Sequence, residues 1–395
     1  MHGGSRAERE NGGAHTKAAI VGAGIAGLAT AVALKKEKAS CVVYERAPEV
    51  REVGAGLAIW ANGVNALKQL GVKPEVMAAG SVVDHAITMN HRGKVLDRTD
   101  IGALGRRHGA ECICVPRGEL QRILLEATGA ERIHIGANCV RVEPGPERVT
   151  TYFDDASCAA ADFVVAADGM RSTIRKQLHP DSQPRFAGYR AWRGIVVGAF
   201  GGLPPCTTLL ILARGCQAGI FPCGSNRVYW FATQNGASNP TQSPEGRKLA
   251  VLKAFDGWPA PFPEIIDATA PDNILENDIL DLKPLDAWGS GRITFAGDSI
   301  HGMTPNLGQG AALALEDAVV LGRCIRNGQS IDQALRDYEN VRRKRAAWIA
   351  IASRRVGVLL QNRNPIIVLL LRYSQSTRFA HMQTRRFLNQ LFEFA

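Results

Sequence analysis

The chain has 395 residues, 46 % hydrophobic and 21 % charged, which suits a globular protein of two or three domains with a sizeable core. Its longest uninterrupted aliphatic run, Ile366 to Leu371, is far too short for a membrane-spanning helix. The net charge is +10, and the stretch from Arg342 to Ala395 accounts for all of it, with eleven Lys/Arg against the single acid Glu393; no nucleic-acid reading module accompanies it.

The first 17 residues, MHGGSRAERENGGAHTK, are polar and Gly-rich, lack the apolar core of a secretion signal, and read as a disordered lead-in. The nine cysteines show no repeated spacing, and the C-x-C pair Cys112 and Cys114 has no second pair to complete a metal site. The expectation is reduced thiols, no metal and a cytoplasmic location.

Ala18 to Val21 reads as a buried strand, Ile25 to Lys35 as a helix, and Cys41 to Tyr44 as a second buried strand, together a βαβ start. The turn between the first two is GAGIAG. In it Gly22 permits the tight turn, Gly24 lets backbone approach a pyrophosphate, and Gly27 lets the helix pack on the strand. The helix N-terminus presents free N–H groups to that anion. Glu45 closes the second strand, 18 residues after Gly27, where a carboxylate can accept from ribose hydroxyls. This much reads as a dinucleotide site and leaves FAD and NAD both open.

Residues 54 to 70 read as a Gly-bearing loop entering a helix, and Arg117 to Leu125 as an amphipathic helix. Phe163 to Ala167 is a buried strand that stops at Asp168-Gly169, with Arg171, Ser172 and Arg175 beyond. That loop suits a polyphosphate, or is simply an Asp-capped turn. From Pro184 to about Asp272, Pro, Gly, Trp and Tyr become frequent. The runs Ala191 to Val197, Thr208 to Leu212 and Arg227 to Ala232 predict an inserted, mainly antiparallel sheet. Arg292 to Ala296 returns as a buried strand leading to Gly297-Asp298, whose acid can accept from the hydroxyls of a sugar-like chain. Pro305, Gly308, Gln309 and Gly310 then lead into a helix from about Ala311 to Cys324; its N-terminus, aimed at the pyrimidine edge of an isoalloxazine, would stabilise reduced flavin. His301 reads as structural before catalytic, and Glu316-Asp317 as a solvated helix face or local cap. Three such motifs in this order point to one FAD clasped along its length.

The segments GAGIAG, ADGMRSTIR and AGDSIHGMTPNLGQG resemble those of the single-component (class A) FAD-dependent monooxygenases, the p-hydroxybenzoate hydroxylase fold group, over about residues 18 to 345. PNLGQGAALALEDAVVLGRCI and ALRDYENVRRKR are most similar to urate hydroxylases, zeaxanthin epoxidases and salicylate-hydroxylase-like members. The resemblance implies an α/β fold. A Rossmann-like, GR2-type FAD-binding domain (18–75, 106–183 and 273–345) would carry an inserted antiparallel substrate sheet (76–105 and 184–272) and a C-terminal helical segment (346–395). It implies flavin contacts at Gly22, Gly24, Ala26, Gly27, Glu45, Arg46, Arg117, Val140, Asp168, Asp298, Pro305, Gly308, Gln309, Gly310, Ala311 and Ala312, with Asp168 and Gly169 also serving NADH or NADPH, for which no separate domain exists. Urate hydroxylases pair an Arg and a Tyr over the substrate. Here Tyr229 is retained while Gln217 falls at the Arg place, which argues against an anionic, urate-like substrate; Arg214 is the alternative partner if the alignment shifts. The implied reaction is hydroxylation or epoxidation of an electron-rich aromatic or unsaturated small molecule by NAD(P)H and O2 through a flavin C4a-hydroperoxide, in a monomer or homodimer. The rivals are a flavin reductase or saturase on the same scaffold and a flavin binder without turnover.

In the tail, Ile349, Ala352, Val356 and Leu359 fall on one helical face with Arg342 to Arg345, Arg354 and Arg355 nearby. Pro365 breaks the helix before IIVLLLRY and RRFLNQLF. This reads as helices packed on the body or on a second copy with solvated arginines, and alternatively as weak attachment to an anionic membrane surface.

Overall fold

A computed structural model describes residues 16–49, 55–236, 243–362 and 386–394. Most of the polar lead-in, Pro365 and the IIVLLLRY run lie outside the described residues. The runs KAAIV, SCVVYE, FVVA and ITF carry almost no exposed side chains, the signature of strands covered on both faces. With Ile133–Ile135 they form a five-stranded parallel sheet in the order Ile293–Phe295, Phe163–Ala166, Lys17–Val21, Ser40–Glu45, Ile133–Ile135. Parallel pairing sends four of these strands out along one edge, each into one of the segments picked out above: Ala296-Gly297, Ala167-Asp168, Gly22 and Glu45. Helix Ile25–Lys36, buried over nearly its whole surface, lies close to helix Gly310–Asn327: a Cβ at Gly322 would stand 3.2 Å from the Cβ of Ala33.

The second large sheet has seven strands, in the order Leu275–Asp281, Arg185–Val197, Arg227–Asn235, Cys216–Pro222, Thr207–Ala213, His85–Asn90 and Val95–Asp100. All neighbours are antiparallel except Thr207–Ala213 with His85–Asn90. Side-chain alternation splits it into two faces. Val228, Trp230 and Ala232 pack with Val251 of helix Pro244–Ala254, with Phe255 just after it, and with Phe262 and Ile266 of helix Phe262–Ala268, and the Trp230 indole donates to Thr269 Oγ1 at 2.9 Å. Tyr229 and Phe231 point the other way, with Phe221, toward Ala55 and Ala58. The sheet runs past residue 272: LENDILD pairs with Arg185–Val197, its polar and apolar positions marking a sheet-edge strand rather than a return to the nucleotide-binding fold.

Helix Ile331–Leu360 runs unbroken for 30 residues, so the C-terminal segment starting at 346 begins as its continuation. Its buried face is Arg342, Ala346, Ile349, Ser353 and Gly357, whereas Leu359 is exposed. The short helix 386–392 returns to the body, where Phe392 stacks on Trp60 with ring centroids 5.6 Å apart. No helix among the described residues is long and apolar enough to cross a membrane, and no disulfide joins any of the nine cysteines.

Candidate active site

The segments that leave the parallel sheet touch one another. A Cβ placed on Gly22 would lie 2.4 Å from the Ala167 carbonyl oxygen and 3.2 Å from Asp168 Cα, and one on Gly297 would lie 2.6 Å from the Cβ of Ala26. Arg175 ties the second loop to the third, donating to Met170 O at 2.6 Å and to Ser299 O at 2.5 Å, and Ser299 Oγ donates to Ala166 O at 2.7 Å. One concave edge thus gathers residues separated by more than 270 positions in sequence.

At the first turn the glycines divide their work. Gly22 adopts φ +105°, and a Cβ on Gly27 would stand 1.8 Å from Gly22 O, so neither position admits a side chain. Among the described residues, a Cβ on Gly24 would meet nothing within 4 Å, which leaves the space in front of it open. Helix Ile25–Lys36 begins there with no side-chain cap and no acid in its first turn, leaving its N–H groups free for an anion. Glu45 is held by backbone, its two oxygens accepting from Ala23 N at 2.7 Å and Ala47 N at 2.9 Å, which fixes the carboxylate beside the turn. Gln121, not singled out from the sequence, donates to Ala23 O at 2.8 Å and pins the same turn from helix Arg117–Thr128. Arg46 and Val140 are exposed, near the Glu45 end, where Ala137 N bonds Glu45 O.

Asp168 accepts from Thr173 N at 2.8 Å through one oxygen, while the other, Oδ1, is buried with no partner among the described residues; burial raises its carboxyl above the usual range. Asp298 is exposed on the same edge and stands 4.0 Å from where a Cβ on Gly310 would lie. Arg117 lies near it, its guanidinium lowered by burial and partly restored by the Asp298 charge. Gly308 takes φ +62° with its Cα side against the Trp60 indole, which donates to Leu307 O at 3.0 Å. Helix Gly310–Asn327 then starts without a side-chain cap or an acid in its first turn, and carries Ala311 and the buried Ala312.

Glu316 and Asp317 correct their sequence reading. Both are fully buried. Arg342 donates to Glu316 Oε2 at 2.5 Å and to Asp317 Oδ1 at 2.8 Å, and Arg345 grips both oxygens of Glu316 at 2.9 and 3.0 Å. Asn62 donates to Glu316 and to Gln309, so the network reaches the loop before the helix. Asp317 Oδ2 accepts from Gly297 N at 2.9 Å and from His301 Nε2 at 2.6 Å, so it fixes the Gly297-Asp298 turn from behind. Burial alone would raise the Asp317 carboxyl, but His301 and Arg342 outweigh it and lower it to about 2. Three of the tail arginines expected in solvent are therefore structural ion-pair partners: Arg342 and Arg345 on Glu316, and Arg354 on the buried Asp281 at 2.8 Å.

Facing this edge is the inner face of the seven-stranded sheet. Tyr229 lies on Gly56, where a Cβ would come within 2.4 Å of the ring, so only glycine admits it; burial pushes its hydroxyl up to about 12. Gln217, opposite Thr233, shares that face with Phe221. Arg214 is exposed at the hairpin turn and is not its partner. Arg193, opposite Phe231, is on the inner face too and went unnoticed in the sequence; strand alternation over Arg185–Val197 could have found it. Pro305 is exposed in the turn Pro305–Leu307, and the next residue, Asn306, accepts from the Tyr189 hydroxyl at 2.7 Å.

A family described as "FAD binding domain" matches residues 15–353. The aurachin C monooxygenase/isomerase of Stigmatella aurantiaca is 35 % identical over 345 residues, 87 % of this chain and 90 % of that protein. An FAD-dependent urate hydroxylase of Klebsiella pneumoniae is 32 % identical, covering 86 % and 89 %. The crystal structure of Klebsiella pneumoniae HpxO complexed with FAD and uric acid superposes with a TM-score of 0.90 at 28 % identity, covering 96 % of this chain and 97 % of that one.

Proposed function

The chain belongs to the FAD binding domain family of class A flavin monooxygenases, and on that premise we propose how its own residues divide the work. The protein is an FAD-dependent oxidoreductase that uses NAD(P)H and O2 to hydroxylate or epoxidise an electron-rich aromatic or unsaturated small molecule. FAD, when bound, supplies hydride acceptance from NAD(P)H and the activation of O2 for transfer of one oxygen atom.

The residues fit that cofactor. Open space before Gly24 and the uncapped helix behind it suit the pyrophosphate, and Glu45 suits the adenosine ribose. The unpartnered Asp168 Oδ1 and the exposed Asp298 carboxylate accept from hydroxyls along the chain between, with Arg46, Arg117 and the backbone at Val140 bordering it. The second uncapped helix, reached through Pro305, Gly308, Gln309, Gly310 and Ala311, offers its positive end to charge that develops on the reduced ring. Tyr229 and Gln217 face the substrate. Phe221, Phe231 and Leu210 exclude water around it.

The single observation that carries this reading is the convergence of four parallel strand ends on one edge opposite an aromatic-lined sheet. The relatives named as monooxygenases favour oxygen transfer over a reductase or saturase. The test is NAD(P)H oxidation with aromatic and polyene compounds, scored by product mass. The expected product is heavier by one oxygen and forms only in air. Substrate reduced under anaerobic conditions, with no oxygenated product in air, contradicts the reading.

A further inference from the structure

Three of the five arginines of the seven-stranded sheet are paired with acids; of the other two, Arg98 is exposed on the edge strand Val95–Asp100, whereas Arg193 lies on the inner face that borders the cleft. Arg185 bonds Asp281 at 2.7 Å, Arg190 reaches Glu276 at 3.2 Å, and Arg227 lies 3.8 Å from Glu119. The Arg193 side chain makes no ion pair or hydrogen bond among the described residues. Register places it on the inner face of the second strand, opposite Phe231, one strand position along that face from Ile195, the partner of Tyr229. Its charge acts on Tyr229, on Tyr189 and on Arg117, in keeping with that place on the inner face, near the aromatic wall and near the Tyr189 hydroxyl that bonds Asn306. The Arg193 and Arg117 charges repel one another across this site, and the Asp298 carboxylate acts on Arg117.

A partly buried cation without a counter-ion is costly unless something completes it. The neutral Gln217 removes a charge from one point of the cleft, and Arg193 supplies one from the neighbouring strand pair. We propose that Arg193 is a specificity-determining residue that binds an anionic group, a carboxylate or phenolate, on the substrate, with Tyr229 and Gln217 as neutral polar neighbours. The inference rests on the flavin monooxygenase reading and adds the substrate's charge class to it; it reverses the expectation of an uncharged substrate drawn from Gln217 alone. A guanidinium fork matches a carboxylate bidentately, which fixes the ring's orientation as well as its affinity.

The test uses the FAD-loaded full chain and matched probes: 2-, 3- and 4-hydroxybenzoate and the three corresponding hydroxybenzamides, titrated against the flavin absorbance spectrum. The wild-type chain is expected to bind at least one acid about ten- to a hundredfold more tightly than its amide, the range of a charge-assisted bidentate contact. Arg193→Gln should abolish that preference with amide binding and FAD content unchanged, and Arg193→Lys should keep part of it. The proposal is overturned if no acid perturbs the spectrum, if acid and amide bind alike, or if Arg193→Gln weakens both equally. It is also overturned if that variant loses FAD while still preferring the acid, because the arginine then belongs to the cofactor. A wild-type chain that takes up no FAD at all would instead overturn the underlying reading.

Discussion

Two glycines five residues or fewer from one another at the same turn are expected to respond in opposite ways to the same methyl group. Gly27→Ala would drive a Cβ into Gly22 O and should prevent stable folding. Gly24→Ala meets no atom of the described residues within 4 Å, so the apo chain should keep its stability within about 1 kcal/mol, the scale of a helix N-cap change, while FAD affinity falls at least about tenfold. Thermal melting of the apo chains and FAD titration check both; equal loss of stability would contradict the assignment of the open space to the pyrophosphate. The role of these glycines was legible in the sequence because backbone chemistry permits few residues there. Gln121 and Asn62 were not legible, because each acts on partners 98 or more residues away that only the fold reveals, whereas Arg193 was open to a reading by strand alternation.

Helix Ile331–Leu360 lies outside the strand–turn–helix units, yet it controls the turn that carries Asp298. Arg342 and Asp317 connect the two through a pair with no solvent access. Arg342→Gln leaves two buried carboxylates short of a cation and is expected to cost about 3–5 kcal/mol in urea unfolding. The pH dependence follows from the same pair. Asp317 titrates at about 2 when folded, against about 3.9 when unfolded, so the unfolded chain takes up its proton first as pH falls. Its contribution is complete above about pH 4 and disappears as pH drops through about 2. Asp317→Asn should be less stable than wild type at pH 7, and the difference should shrink on acidification through that window; a difference independent of pH would contradict the account. The second half of the helix was expected from the spacing of Ile349, Ala352, Val356 and Leu359. Its inward arginines were not, since an arginine-rich run looks the same from sequence whether its charges meet water or buried acids.

At the scale of the whole molecule, the two sheets meet as cofactor edge against aromatic wall. The parallel sheet was readable because strands buried on both faces are short and uniformly apolar, as KAAIV and FVVA are. The strands His85–Asn90 and Leu275–Asp281 were harder, because edge or near-edge strands carry polar residues and join the sheet through long-range pairing. The three-stranded sheet Cys139–Pro144, Val149–Phe153 and Cys158–Ala161 was missed for the same reason. The central claim is that distant loops close on one flavin. Its most direct measurement is the flavin content of the purified full chain after incubation with FAD and removal of excess. The account predicts a yellow protein carrying about one FAD per chain, and a chain that remains colourless while folded would contradict it.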